Sequence, residues 1–205
     1  MTLSMQQTIE ARNSIHQFQP GRPLDGDTVA TLARLATTAP TAYNLQNWRL
    51  IAVCSEDAKA RLKASAFGQQ KIADASAAFL VCGTLAAHRQ LAAVLQPSVA
   101  AGIVKQAVAD AWVAQAGAAH EGNAQLQRDE AMRSASMAAM TLMLAAQDLG
   151  LGSCAMGGFD AEAVAREFGL GALELPVMIV AVGHPAAGNA PQKLRRPLDE
   201  VLAVA

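Results

Sequence analysis

The chain has 205 residues and a formal net charge of −1, and 52% of its residues are hydrophobic whereas 16% are charged. This length supports one sizeable core, so we expect a single domain over residues 1–205. The near-zero net charge argues against nucleic acid as the main partner, because it leaves no broad basic surface.

Hydropathy and cysteine usage further restrict the class of protein to which this chain can belong. The mean hydropathy of +0.21 is high, so we expect a homodimer that covers apolar surface. No run reaches the roughly 18 consecutive apolar residues of a membrane span, and the N-terminus lacks the pattern of a secretory signal. Cys54, Cys82 and Cys154 lie in apolar contexts without metal-ligand spacing. They predict reduced core thiols in a cytoplasmic protein without a metal site.

The first half of the chain predicts two helices, followed by strands alternating with helices. Asp25 or Asp27 is suited to cap a helix whose apolar residues share one face. Pro40 ends this helix and opens a polar loop, and Ser55 is suited to cap a third helix. The predicted elements are helices over 2–13, 25–38 and 55–66 and strands over 49–54 and 77–84.

The second half is dominated by a long helix over about 124–149. Its alanines and methionines cover a surface too broad for one apolar stripe, so we expect a buried central helix and a candidate for the subunit contact. Gly150 and Gly152 are expected to end it, and Asp160 to cap a short helix that stops at Gly169. The other predicted elements are helical structure over 97–117, a strand over 177–182 and an irregular loop over 185–191.

Two basic segments at opposite ends of the chain predict an anion-binding site. Arg12 offers a planar fork with two hydrogen bonds for a phosphate, and Ser14 adds a hydroxyl. Lys193 and Arg195 are able to reach the same group from the other end of the chain. The alternative interpretation of the first segment is a solvated helix end, where positive charge is favourable.

Two further segments carry groups suited to a flat heterocyclic ring. Asn44 and Gln46, in the polar loop after Pro40, offer amide donors and acceptors, although such residues are also common in ordinary turns. Gly157 and Gly158 permit close approach of the backbone to a ring and leave their N–H groups free, between a strand and a helix start. An ordinary turn before a capped helix is the alternative here. Cys154 is interpreted as a packing residue.

The order and spacing of these segments resemble the FMN-dependent nitroreductase family over about residues 9–198. Several positions depart from the family pattern. Asn47 stands where a second proline is usual, His16 where Arg or Lys is commoner, and Gly68 where an asparagine is common. Asn13 is likewise less basic than usual. The resemblance implies three groups of FMN-binding residues: Arg12, Asn13, Ser14, His16, Lys193 and Arg195 for the phosphate and ribityl chain; Thr41, Asn44, Gln46 and Lys71 for the ring; and Met156, Gly157 and Gly158 beside N5, with Gly157 as the backbone donor.

The resemblance also implies an α+β fold with three layers. We expect a mixed, mostly antiparallel sheet with helices on both faces, in an intertwined homodimer with FMN at the interface. The implied reaction is a ping-pong transfer from NAD(P)H to a nitroaromatic or quinone acceptor, in a pocket around residues 97–125. NAD(P)H is expected to bind transiently, because Gly150-Leu151-Gly152 lacks the third glycine of a dinucleotide fingerprint. The alternatives are another acceptor (an enone, a flavin or a halophenol) and a non-catalytic flavin-binding or interaction protein.

Overall fold

The computed structural model describes residues 4–205, so the part of the first predicted helix at residues 2–3 lies outside the described residues. The described chain contains eight α-helices, four β-strands and three short 3-10 turns. The helices are α1 (Met5–Ala11), α2 (Gly26–Ala36), α3 (Glu56–Ser65), α4 (Gln70–Asp74), α5 (Leu91–Ala100), α6 (Gln106–His120), α7 (Ala124–Asp148) and α8 (Ala161–Glu167); the strands are β1 (Trp48–Val53), β2 (Ala77–Thr84), β3 (Gly152–Met156) and β4 (Glu174–Gly183).

The four strands form one antiparallel sheet in the order β1-β2-β4-β3. A single parallel bridge between Ser14 and Ser153 adds the N-terminal segment beside β3. The sheet is therefore mixed and mostly antiparallel, and this bridge supplies its parallel part. β2 and β4 lie in the centre, which explains the apolar runs over 77–83 and 177–183.

Helices cover both faces of the sheet. On one face, α3, α4 and α8 contribute Leu62, Ile72 and Val164 to a buried cluster. On the other face, α2 and α7 pack Leu32 and Leu142 against the sheet. The expected three-layer α+β fold is thus confirmed.

A third cluster lies outside these layers, between α5, α6 and the loop before β1. Leu45 of that loop packs with Leu91, Leu95, Ala109 and Ala116. This small core fixes the polar loop to the pair of helices that follows β2.

Local capping accounts for most of the helix starts. The side chains of Asp25, Ser55 and Asp160 accept hydrogen bonds from the N–H groups of the first helical turns, as the sequence predicts. Asn123 caps α7 in the same way. These caps satisfy N–H groups that a helix itself leaves without partners.

Several expectations about the middle and end of the chain are wrong. The helical region expected over 97–117 is two helices, because the chain turns between them at Gly102, whose φ is +71°. Gly152 belongs to β3, so Gly150, with a φ of +72°, follows the end of α7 by itself. The strand predicted over 177–182 begins earlier, at Glu174, because β4 pairs with the whole length of β2.

Two expectations about burial also need correction. Cys54 is exposed, because the chain leaves the sheet there and turns into α3, so it is not a core thiol. α7 buries one face only, and Met137 and Met140 remain 37% and 38% exposed in the single chain. Among residues 4–205, none of the helices is both long and apolar enough to cross a membrane.

Candidate functional site

The N-terminal segment lies along the edge strand β3. Ser14 bridges Ser153, and Ile15 N donates to Ser153 O over 2.9 Å. Gly152 permits this close approach, because a Cβ at that position would lie 2.5 Å from Ile15 Cγ1. The pairing therefore holds Arg12 and Ser14 at one end of the edge strand.

The C-terminal tail returns to the same place. Asn13 Nδ2 donates to Ala190 O over 2.6 Å. Asn189 Oδ1 accepts from the N–H groups of His16 and Gln17 over 2.8 and 3.0 Å. Sequence reasoning did not find Asn189, because nothing in an irregular loop distinguishes it from an ordinary turn residue. The side chain of Asn13 is thus occupied in holding the tail, and that of His16 is exposed.

The predicted basic groups gather near the end of α1. When the amide nitrogen of Gln192 faces Glu10 O at 3.0 Å, its oxygen accepts from Arg195 Nη2 over 3.3 Å. None of the ion pairs among residues 4–205 involves Arg12, Lys193 or Arg195. These cations therefore lack a carboxylate partner within the described chain, and a phosphate is a suitable counter-ion for them.

Lys71 lies further along the same edge. Its Nζ is 3.7 Å from Sγ of Cys154, which is buried at 3% exposure beneath it. Gln69 Nε2 donates to Gly158 O over 2.7 Å. These two contacts tie the start of α4 to β3 and to the segment that follows it, and they place a half-buried ammonium beside the glycines.

The glycine segment after β3 presents open backbone. Gly157 and Gly158 are exposed, and neither has a positive φ. A Cβ at Gly157 would meet no atom within 4 Å, so the advantage of glycine here is the absence of a side chain. Met156 packs its side chain in the core, which leaves only its backbone to a ligand. Gly157 follows Ser153 by four residues, or about 14 Å of strand.

The loop over 41–47 has a strained but tightly bonded backbone. Tyr43, Asn44 and Gln46 have φ values of 52°, 59° and 46°, a region that is unfavourable for residues other than glycine and is common at functional sites. Thr41 Oγ1 accepts from Gln46 N over 3.0 Å, and Leu45 anchors the loop in the α5–α6 cluster. The side chains of Asn44 and Gln46 consequently point into solvent-exposed space.

This loop lies far from β3 within one chain. Trp48 pairs with Gly83, which pairs with Leu175 of β4, whereas β3 pairs with β4 only from Ile179 onward. Three strand spacings and four residues along the strand separate the two regions by about 20 Å. Arg12, Ser14, Lys71 and the two glycines thus lie along β3 of one chain. Thr41, Asn44 and Gln46 do not.

A cavity of about 370 Å³ adjoins the 41–47 loop. Two ion pairs flank it, Arg49–Glu174 and Arg89–Glu121, each with a closest distance of 2.7 Å. The hydrogen bond from Arg49 holds the pKa of Glu174 below its usual value. Trp48 is half-buried and lines this cavity. The region around 97–125, where the acceptor pocket was expected, contributes no lining residue.

Comparison with known proteins gives a consistent family assignment. The model of the nitroreductase family matches residues 9–184. The candidate NAD(P)H nitroreductase YodC of Bacillus subtilis is 33% identical over 193 residues, which cover 94% of this chain and 95% of YodC. The candidate NAD(P)H nitroreductase MhqN of the same organism is 34% identical over 194 residues, which cover 94% of each chain.

Solved structures show the same similarity. The candidate nitroreductase ydfN of Bacillus subtilis superposes with a TM-score of 0.90 at 32% identity, covering 97% of each chain. A candidate nitroreductase of Exiguobacterium sibiricum, solved in complex with FMN, superposes with a TM-score of 0.92 at 26% identity, covering the whole of both chains.

Proposed function

Because this chain belongs to the nitroreductase family and is an oxidoreductase, we propose that it binds FMN and transfers electrons from NAD(P)H to a nitroaromatic or quinone acceptor. The observation that carries this proposal is the row of groups along β3. Cations and a hydroxyl lie at one end, Lys71 contacts Cys154 in the middle of the strand, and the open glycine segment begins about 14 Å from Ser153. When bound, FMN supplies hydride transfer through N5 in two half-reactions.

The residues along β3 fit the polar parts of this cofactor. Arg12 would bind the phosphate through two parallel hydrogen bonds, with Ser14, Lys193 and Arg195 completing the neutralisation. Lys71 would place positive charge at the polar ring edge, which favours negative charge there. The exposed N–H of Gly157 would donate a hydrogen bond toward the ring. In this proposal the residues around β3 would bind and orient the cofactor, and no acid–base side chain is assigned.

We propose that a homodimer completes the site. Asn44 and Gln46 lie about 20 Å from the glycine segment of their own chain, so the corresponding loop of the partner subunit would supply the amides. Two features support a dimer: the exposed methionines of α7 and the exposed apolar side chains of the tail. The latter are Leu194, Leu198, Val201, Leu202 and Val204.

The first test is the visible spectrum of the purified protein before and after anaerobic NAD(P)H. We expect flavin bands that bleach on addition of the nucleotide. A colourless protein that also fails to take up added FMN would contradict the proposal. Nitroaromatic, quinone, enone and free-flavin acceptors would then be compared by their rates of flavin reoxidation.

The proposed role of Arg12 in binding the FMN phosphate is tested with a separate variant. Arg12→Ala should reduce FMN occupancy strongly, because the phosphate loses its paired hydrogen bonds, and Arg34→Ala on the exposed end of α2 is the matched control. Equal flavin content in both variants would refute the role of Arg12.

The shared site predicts subunit complementation. Arg12→Ala and the double variant Asn44→Ala/Gln46→Ala should each be inactive as homodimers. A mixed dimer contains one site built only from intact segments, so activity should return on co-expression. Sites contained within single subunits would show no such recovery.

We also propose that residues 1–205 form one domain and that the protein is cytoplasmic. The nearly full-length match to compact relatives supports the first statement. The three free cysteines among residues 4–205 support the second, because thiols persist in reducing compartments. Reactivity of these thiols in freshly lysed cells, before any reductant is added, tests the location.

A further inference from the structure

A buried polar cluster lies directly behind the 41–47 loop and consists of Asn47, His88 and His120. Their exposures are 2%, 6% and 5%, and the two imidazole rings stack with centroids 5.6 Å apart and an interplanar angle of 23°. All three residues line a cavity of about 10 Å³, together with Gln127 and Glu130.

Three atoms of this cluster lack a hydrogen-bond partner among residues 4–205. They are Asn47 Oδ1, His88 Nδ1 and His120 Nε2. Buried polar atoms are nearly always paired with protein or ordered water. Three unpaired atoms on the residues around one small cavity therefore indicate a common partner.

The hydrogen bond on the outer side of each imidazole ring determines whether its inner nitrogen donates or accepts. His120 Nδ1 lies 2.9 Å from the carbonyl of Ala116, which only accepts, so Nδ1 carries the hydrogen. His88 Nε2 lies 2.9 Å from Glu121 Oε2. Bonds from Arg89 and His88 hold the pKa of Glu121 at about 2, so this carboxylate also accepts. In neutral rings the inner nitrogens are then acceptors, as is Asn47 Oδ1.

We propose that one buried water molecule donates hydrogen bonds within this cluster and thereby positions the 41–47 loop. The cavity is about the size of one water, and the residues that carry the three unpaired atoms line it. Because water has two hydrogens, it can bridge Asn47 Oδ1 and one of the two ring nitrogens. A metal ion is disfavoured, because no group of three or more His, Cys, Asp or Glu side chains in the described chain has the arrangement to hold one.

The cluster connects the 41–47 loop to two segments that hydrogen bonds hold in place. Gln127 of α7 donates to His120 O over 2.8 Å and accepts from Ala86 N over 3.1 Å, so both histidine-bearing segments are fixed. On the loop side, Asn47 O accepts from Thr84 N over 2.9 Å. A water between Asn47 and the histidines would anchor the residue that directly follows Gln46.

The cluster also accounts for a departure from the family pattern. Where a proline is usual, its ring would restrict φ. Asn47 lacks that restriction and contributes instead an oxygen to the buried cavity. Asn47, His88 and His120 are then positioning residues, and their effect on cofactor binding rests on the function proposed above.

The bridge is tested first in the FMN-free, full-length protein labelled with ¹⁵N-histidine. We expect His120 to carry its hydrogen on Nδ1 and His88 on Nε2, and a crystal structure to show one water between Asn47 and the rings. A dry cavity, or the opposite tautomers, would overturn the proposal. Neither measurement requires flavin binding.

The positioning effect is tested with Asn47→Leu, which removes the oxygen at similar size. In Asn47→Leu we expect amide exchange of Gln46 and Trp48 to accelerate, and FMN binding to weaken, each by about tenfold. The control Ser134→Ala, which removes a buried unpaired hydroxyl on a residue that does not line this cavity, should stay within about twofold of the wild type.

Unchanged exchange and affinity in Asn47→Leu would refute the positioning role. If that variant does not fold, His120→Phe removes the opposite acceptor and is measured in the same way. Wild-type protein that shows the water but binds no FMN would refute the proposed function and leave the bridge intact.

Discussion

Gly152→Ala is the substitution that best tests the pairing between the N-terminal segment and β3. The new Cβ would lie 2.5 Å from Ile15 Cγ1 and 3.3 Å from Ile15 Cβ. Ordinary carbon contacts are about 3.5–4.0 Å, so Ile15 must move by about 1 Å. Its N–H is bonded to Ser153 O over 2.9 Å, and the movement therefore strains that bond.

The expected change in the free energy of unfolding follows from two opposing effects. Overpacking of a buried site costs about 1–3 kcal/mol. Alanine also restricts the unfolded chain relative to glycine, which offsets about 0.4–1 kcal/mol of this. We expect a net loss of about 1–2 kcal/mol in the free energy of unfolding. On the function proposed above, FMN binding should also weaken, because Arg12 and Ser14 shift with the segment.

The assay is urea denaturation of the FMN-free protein at fixed protein concentration, in a double-mutant cycle with Ile15→Ala. Because that change removes the clashing Cγ1, Gly152→Ala should cost less than about 0.5 kcal/mol in its background. Gly117→Ala in α6 is the control, since its Cβ meets nothing within 4 Å, and it should stabilise by about 0.5–1 kcal/mol. An equal cost of Gly152→Ala in both backgrounds would refute the reasoning.

Three further predictions concern buried and paired groups. Lys59→Met should lower the free energy of unfolding by about 1.5–3 kcal/mol in urea denaturation, because the buried ammonium donates to two backbone carbonyls at the end of α4; an unchanged midpoint would contradict this. The pKa of Glu174 lies below 4.5, so the stabilisation from its pairing with Arg49 is present above that pH and is lost on acidification. Arg49→Met should therefore reduce the loss of stability at acidic pH in a plot of the free energy of unfolding against pH. A parallel shift of the whole plot would argue otherwise. In native protein, Cys54 should react first with a thiol reagent, because it is exposed. Burial raises the pKa of Cys82 to about 12 and should delay its reaction until the protein unfolds. A Cys54→Ser variant that still shows the fast phase of thiol reaction would disprove this order.

Sequence reasoning succeeded where the signal is local. Asp25, Ser55 and Asp160 act as predicted caps, because each accepts a hydrogen bond from an N–H only three residues away. β2 was predicted over its full observed range, because a central strand buried on both faces is apolar throughout.

The errors arose where local signals are ambiguous. Pro97 is suited to begin a helix, yet it lies inside α5, which starts at Leu91. Gly152 resembles a helix terminator but is required by contact with Ile15, a residue more than a hundred positions away. The apolar neighbours of Cys54 do not reveal that the chain leaves the sheet at that residue.

The sequence by itself determined most of the elements, the fold class and the kinds of groups available to a phosphorylated ring cofactor. Only the tertiary structure decided which of these groups meet. The pairing of Ser14 with Ser153 and of Gln17 with Asn189 brings the two ends of the chain together at β3, whereas Asn44 stays at the opposite edge. Caps and apolar periodicity act over a few residues, but strand order and packing act between distant segments, so composition and spacing leave their outcome open.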